Sequence, residues 1–251
     1  LGFIAGFTGY YIKEELKKQQ IDSDFVETDG FTRINIKLTT ETETEINSQS
    51  SSVNKKNIDD FFKTLDGLSS GDSVFLSGNI IPGMEADDFV NIAKKVREKG
   101  AKLIVDSNKD MVLNTLKYKP FVVKPNEFEL GEMFSVNIDT VEDIAKYARK
   151  LQEMGALNVL VSRGSKGAIL FTGEGEVFSA NIAKGKVVST IAAGDSMLAM
   201  FVAKYDETKD YKLSLQYASA AGGATSFSAG VGKKELIDEL LVQIKVDKCN
   251  L

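Results

Sequence analysis

Phe121-Val122-Val123-Lys124-Pro125-Asn126-Glu127-Phe128-Glu129-Leu130 changes character at Lys124. An apolar, β-branched run ends there, and a polar turn opens a helical pattern. Asn126 and Glu129 are spaced as a capping box, with Asn126 as N-cap and Glu129 at the third helical position. The same grammar recurs along the chain. Val74-Phe75-Leu76, Leu103-Ile104-Val105 and Val159-Leu160-Val161 are further short apolar runs, and amphipathic segments at 85–99, 109–116 and 139–153 lie between the runs. Continuous apolar runs separated by helices indicate buried parallel strands joined by right-handed crossovers. The expected fold class is α/β, a mostly parallel doubly wound sheet with flanking helices.

Two regions depart from this pattern. Ile34, Ile36 and Leu38 alternate with Arg33, Asn35 and Lys37, and Glu43-Thr44-Glu45-Ile46-Asn47 continues in strand style after a polar turn. That predicts an antiparallel hairpin inserted in the α/β fold. It could be a solvated hairpin face, or a lid whose Arg and Lys meet an anion. Towards the end, strands near 157–162, 167–171 and 176–180 precede small-residue-rich helices at 194–205 and 211–227 and a last helix near 233–243.

The 251 residues are enough to bury roughly 70–75% of the unfolded surface, as one large domain or two small ones. The absence of His excludes a Ser-His-Asp triad, a His-ligated zinc site and phosphohistidine chemistry. The lone Cys249 excludes an internal disulfide and a Cys-cluster metal site. A catalytic base must therefore be Asp, Glu, Lys or Tyr. With 31 basic against 36 acidic residues, net charge −5 and no basic block, nucleic acid is not the expected partner. No apolar run is long enough for a membrane span. The opening Leu1-Gly2-Phe3-Ile4-Ala5-Gly6 lacks the basic leader of a signal peptide and reads as the middle of a strand. The expectation is a cytoplasmic protein whose first residue falls inside a domain.

Four constellations could carry chemistry. Ala192-Ala193-Gly194-Asp195-Ser196 opens an apolar helix, where small residues let backbone N–H groups and the helix dipole face an anion. Asp195 in that first turn could take a proton from a hydroxyl, although Asp is also favoured there for capping alone. Asn126 and Glu129 could be a capping box only, or could hold magnesium through its waters at the carboxyl edge of the sheet. Ser162-Arg163-Gly164-Ser165-Lys166-Gly167 is a hairpin turn that could bring backbone close to phosphates. Ser77-Gly78-Asn79-Ile80-Ile81-Pro82-Gly83 is a turn directly after a buried strand. A P-loop fails on spacing, because Lys234 follows Gly232-Lys233 and position 227 is Phe. Gly2, Gly6 and Gly9 are wrongly spaced for a dinucleotide fingerprint.

In this order, Thr32-Arg33-Ile34-Asn35, Ser77-Gly78-Asn79 with Pro82-Gly83, Lys124-Pro125-Asn126 with Glu129, Ser162 with Gly164 and Gly167, and Ala193-Gly194-Asp195-Ser196 resemble the ribokinase-like sugar kinases of the phosphofructokinase B branch. The resemblance covers essentially the whole chain. Within the branch, the 32–47 segment is most similar to the bacterial 1-phosphofructokinases, with the tagatose-6-phosphate kinases next. It implies one kinase domain over 1–251, incomplete at its amino end, with lid strands at about 24–48. It implies ATP and Mg2+, a small-molecule sugar phosphate as substrate, no nucleic acid or membrane partner, and a homodimer through the lid.

By matching motifs, Asp195 would be the general base, with Ala192, Ala193 and Gly194 forming the anion hole. Asn126 and Glu129 would organise the metal. Lys124, Asn126, Ser162, Gly164, Gly167 and Gly194 would approach ATP. Arg33 would bind the substrate phosphate, with Asn35, Ser77, Gly78 and Asn79 near the sugar. The implied reaction is phosphorylation of fructose 1-phosphate to fructose 1,6-bisphosphate. Tagatose 6-phosphate or fructose 6-phosphate are alternative acceptors, and a nucleotide or sugar-phosphate sensor is the non-enzymatic alternative. Three departures from the family pattern stand out. Ala192 occupies a usual Gly, Asn79 occupies a usual Ser, and a Gly-Gly-Lys-Gly-x-Asn sugar loop does not occur in these residues. Ala192 would be strained if its φ is positive.

Overall fold

The computed structural model describes residues 1–39, 43–78 and 80–251. The chain divides into two compact units, one of residues 1–74 with 78–102 and the other of residues 75–77 with 103–251. In the first unit, β1 (Gly2–Ala5) leads into α1 (Gly6–Lys18) and pairs in parallel with β2 (Phe25–Thr28). β3 (Asn35–Thr39) and β4 (Glu43–Asn47) form the expected antiparallel hairpin, with Ile36 opposite Ile46. The strand starts at Asn35, later than the sequence suggests. Thr32 is held elsewhere: its hydroxyl accepts from the Ala5 amide at 2.8 Å and its own amide donates to the Ala5 carbonyl. α2 (Lys55–Thr64), β5 (Ser73–Gly78) and α3 (Ala86–Glu98) complete the unit, apart from Phe75–Ser77 of β5. α2 starts at a reciprocal Asn54–Asn57 capping box.

The second unit carries the strand-helix alternation. β6 (Lys102–Ser107), α4 (Lys109–Thr115), β7 (Val122–Val123), α5 (Glu127–Phe134), α6 (Val141–Glu153) and β8 (Asn158–Ser162) come first. β9 (Ala168–Phe171), β10 (Val177–Ala180), α7 (Ala193–Thr208), α8 (Tyr211–Ser226), α9 (Lys234–Leu241) and β11 (Val246–Lys248) follow. The strands join one sheet in the order β11-β10-β9-β8-β7-β6-β5. β6, β7 and β8 run parallel, while β8 through β11 pair antiparallel. The break comes from connection length. β8 and β9 are joined by the short Arg163–Gly167 turn, and a parallel return needs a crossover of a dozen residues or more.

Alternation along the strands supplies two apolar faces. Ile104, Val122, Leu160 and Leu170 belong to one buried cluster with Leu198 and Phe201 of α7, Leu215 and Ala218 of α8, and Ile237 of α9. Val105, Val123, Val159 and Val161 are fully buried on the opposite face, and α6 packs there against β8 and β9. Ala218, Ala220, Ala221, Gly222 and Ala224 let α8 lie close to α7, and all five are buried. No described helix is long and apolar enough to cross a membrane.

Gly155 ends the α6 turn with φ +134°, and a Cβ built there would lie 2.1 Å from the Leu116 carbonyl oxygen. Gly155→Ala is therefore expected to destabilise the chain by about 1–3 kcal/mol through backbone strain. A lowered denaturation midpoint in urea checks it; an unchanged midpoint would show that the turn relaxes freely.

Candidate functional site

The site is built where the parallel strands end. Register places Ile104 beside Val122 and Val105 beside Val123. One step further, Asp106 and Lys124 become neighbours, and by alternation they share a face with Ile104 and Val122, the face that α7 covers. Their side chains form an ion pair, Lys124 Nζ to Asp106 Oδ2 at 3.1 Å, that is largely removed from solvent. Burial pushes the Asp106 carboxyl above the usual carboxylate range. Lys124 opposes that push, and the nearby Asp195 and Glu129 carboxylates add to it.

Asn126 caps α5 as the sequence suggests. Its Oδ1 accepts from the Glu129 amide at 2.8 Å, and Glu129 Oε2 accepts from the Asn126 amide at 2.8 Å. The box uses one carboxylate oxygen of Glu129 and fixes where the group points. Asn126 also bridges to Ser162 of β8 in parallel register. Glu127 links the same two loops, with Arg163 Nε donating to it at 2.8 Å and Lys166 Nζ at 3.3 Å. Burial raises the Glu127 carboxyl, but these two cations outweigh it and hold it below its ordinary value. The cations of the 163–167 turn are thus engaged in holding α5 and β8 together.

Ala192 is the N-cap of α7, and its φ of +59° and ψ of 7° are left-handed. The strained alternative foreseen for this Ala is the one observed. No side chain caps the helix. Asp195 occupies the third helical position with its carboxylate exposed and in no described hydrogen bond or ion pair, so it is free of the capping duty its position would otherwise suggest. The Ala193 amide donates to Thr190 O at 3.3 Å. The Gly194 and Asp195 amides are first-turn donors with no helical acceptor. The positive end of the α7 dipole lies at the same place.

Asn126, Ser162, Gly164, Gly167, Ala193 and Gly194 all line one cleft of about 650 Å3 in the second unit. Lys124 adjoins it, because its Nζ is the atom nearest to where a Gly194 Cβ would stand. The remaining wall was not read from the sequence. It comes from the Asn181–Gly185 loop, Val187, and Ser219, Gly222, Gly223 and Phe227 on and after α8. Ser219 Oγ is buried there without a hydrogen-bond partner. The signal was present in the run of small residues from Ala218 to Ala224, which reads equally well as helix packing. Asp106 was also missed, although an acid directly after Leu103-Ile104-Val105 obeys the strand-end logic that singled out Lys124.

Arg33 and Asn35 are exposed in the first unit, Asn35 as the first residue of β3. Ser77 and Gly78 are exposed at the end of β5. Asn79 lies outside the described residues. Among the described residues, no group of three or more His, Cys, Asp or Glu side chains could hold a metal ion by itself.

The arrangement suits an elongated ligand with an apolar body and a polyanionic end. The cleft offers mainly small and apolar surface, and its Gly194 end offers free amides, a helix dipole and an ammonium. Comparison with known proteins agrees with that chemistry. The sequence model of the pfkB family carbohydrate kinases matches residues 1–237. The chain is 39% identical over 248 residues to a 1-phosphofructokinase of Bacillus subtilis, covering 99% of this chain and 82% of the relative. It is 36% identical over 247 residues to a D-tagatose-1-phosphate kinase of Bacillus licheniformis, covering 98% and 81%. A Staphylococcus aureus structure carrying a candidate assignment as a phosphofructokinase superposes with a TM-score of 0.88 at 33% identity, over 99% of this chain and 81% of that one.

Ala192→Gly is expected to raise the thermal midpoint by about 1–3 °C. Relief of about 1 kcal/mol of left-handed strain is partly offset by the greater freedom of unfolded Gly. Scanning calorimetry showing a lower midpoint would contradict the strain at Ala192.

Proposed function

Since the chain belongs to the pfkB family carbohydrate kinases and has their ribokinase-like α/β fold, we propose that it transfers the γ-phosphoryl group of ATP to fructose 1-phosphate, giving fructose 1,6-bisphosphate. The observation that carries this reading is the unengaged Asp195 carboxylate beside the free first-turn amides of α7. A base and an anion hole there adjoin a cleft able to take a nucleotide. Asp195 takes the proton of the sugar hydroxyl as that oxygen bonds to the γ-phosphorus, and the bond to the β-phosphate bridging oxygen breaks to release ADP. The Gly194 and Asp195 amides and the α7 dipole hold the charge that spreads over the phosphoryl oxygens. The Ala193 amide joins them if its long contact to Thr190 gives way. Lys124 neutralises charge on the terminal phosphate.

Magnesium supplies further charge neutralisation when bound with the nucleotide. The donor set fits a hydrated ion: Glu129 keeps one oxygen free of its cap, and Mg2+ is commonly held by one or two carboxylates with waters and phosphate oxygens. Asn126 steadies that carboxylate through the reciprocal cap. Ser162, Gly164 and Gly167 offer small, backbone-rich surface to the nucleotide. By motif correspondence Arg33 takes the substrate phosphate, and Asn35, Ser77, Gly78 and Asn79 take sugar hydroxyls. A reaction between ATP and a phosphorylated sugar suits the cytoplasm.

The relative named for D-tagatose 1-phosphate supports a second acceptor that differs from fructose 1-phosphate at one ring carbon. A homodimer through the hairpin is supported by Ile36, Leu38 and Ile46. They share one face of the β3–β4 ribbon and are each about half exposed. Sedimentation showing a monomer at working concentration would refute the dimer.

ADP release is expected with fructose 1-phosphate or tagatose 1-phosphate, with less from tagatose 6-phosphate and fructose 6-phosphate and none without sugar. Asp195→Asn should cost on the order of 10²–10⁴-fold in kcat without loss of nucleotide binding. Nucleotide binding with no turnover on any sugar phosphate would favour the sensor. Arg33→Ala should raise KM for the sugar phosphate by about tenfold or more and change kcat less. Equal KM would remove Arg33 from that role.

A further inference from the structure

Asp106 is a charged group at the site to which the motif correspondence gives no role. It is nonetheless the carboxylate that holds Lys124. The Lys124 side chain is 9% exposed and that of Asp106 17%, so the ammonium is committed to an internal partner. Asp195 and Glu129 stand near enough to act electrostatically on Asp106, yet Asp106 is the carboxylate paired with the ammonium. Glu129 is turned by its capping bond to the Asn126 amide. Asp195 is unengaged and close, and an ammonium paired with it would make it a weaker base.

The room at Gly194 indicates where the ammonium belongs. A Cβ there would stand 3.1 Å from Lys124 Nζ and 3.5 Å from its Cε. Glycine therefore leaves space for the lysine tip beside the free amides of α7. Resting on the kinase reading of this site, we propose that Asp106 is a positioning residue. It anchors the Lys124 ammonium at the amino end of α7, where it meets the terminal phosphate of the nucleotide, and keeps it from pairing with Asp195.

The sign of one measurement separates this role from a plain charge effect. A carboxylate acting only through its charge would repel a triphosphate, so removing it would tighten binding. A carboxylate that positions Lys124 predicts the reverse. The experiment is a double-mutant cycle on the full chain, read by calorimetric affinity for a non-hydrolysable ATP analogue and for AMP. Asp106→Asn is expected to weaken the analogue by about tenfold and leave AMP unchanged, as expected for losing one charge-assisted phosphate contact. Lys124→Met should do the same, and the double variant should bind like Lys124→Met alone. Asp106→Glu, which keeps the charge on a longer arm, should recover part of the loss. Thermal midpoints taken alongside identify any variant that fails to fold, and the Glu variant then carries the comparison with Lys124→Met.

Analogue affinity that is unchanged or tighter in Asp106→Asn overturns the proposal. So does a double variant that loses the product of the two single effects. Turnover of fructose 1-phosphate by the unaltered chain is measured in parallel. Its absence alone counts against the kinase reading and leaves the cycle readable, whereas failure of the unaltered chain to bind either nucleotide overturns both.

Discussion

Parallel pairing of β6, β7 and β8 is the constraint on which the site depends. Parallel strands end on the same side, so the residues just beyond their carboxyl ends gather at one edge of the sheet. β6 delivers Asp106, β7 delivers Lys124 and then the Asn126 cap, and β8 delivers Ser162 and the Gly164–Gly167 turn. The register that buries Val105 against Val123 also makes Asp106 and Lys124 neighbours. A slip by one residue would turn every apolar side chain to the wrong face and separate the ion pair. Fold stability and chemical placement are thus consequences of the same hydrogen-bond ladder.

The second element of the design is the close approach of α7 and α8. Small side chains along α8 allow it, and Thr225 hydroxyl to Ser196 hydroxyl, at 2.8 Å, ties the two helices near the start of α7. The start of α7 is irregular: the Ala192 N-cap just before it is left-handed and offers no side-chain cap. Ordinary capping would have consumed the amides that an anion requires. The strain at Ala192 is local and about the size of one weak interaction, so a core of this extent tolerates it.

The loops divide along the same lines. Those at the carboxyl edge are fixed by polar contacts between neighbours, as with Glu127 to Arg163 and Asn126 to Ser162. They are therefore rigid supports and not merely connectors. That division explains why Arg163 and Lys166, cations in a glycine-rich turn, serve the architecture. Their carboxylate partner stands at the start of the adjacent helix.

The sequence by itself determined the α/β class, most element positions and the choice of candidate site residues. Apolar runs and amphipathic periods are local signals, and Asn126 with Glu129 or Ala192 through Ser196 are contiguous motifs. Resemblance in motif order raised Asp195 above a capping residue, which spacing alone left open. Tertiary structure decided what depends on distant neighbours. Asp106 acquires meaning only when register brings it to Lys124, 18 positions away in the chain. The Ser219 and Gly222 side of the cleft is indistinguishable from helix packing until the Asn181–Gly185 loop lies opposite it. The sign of φ at Ala192 was likewise undecidable from its side chain, because a methyl tolerates either hand at different cost. The required backbone direction is set by where α7 must start, and long-range packing alone fixes that point.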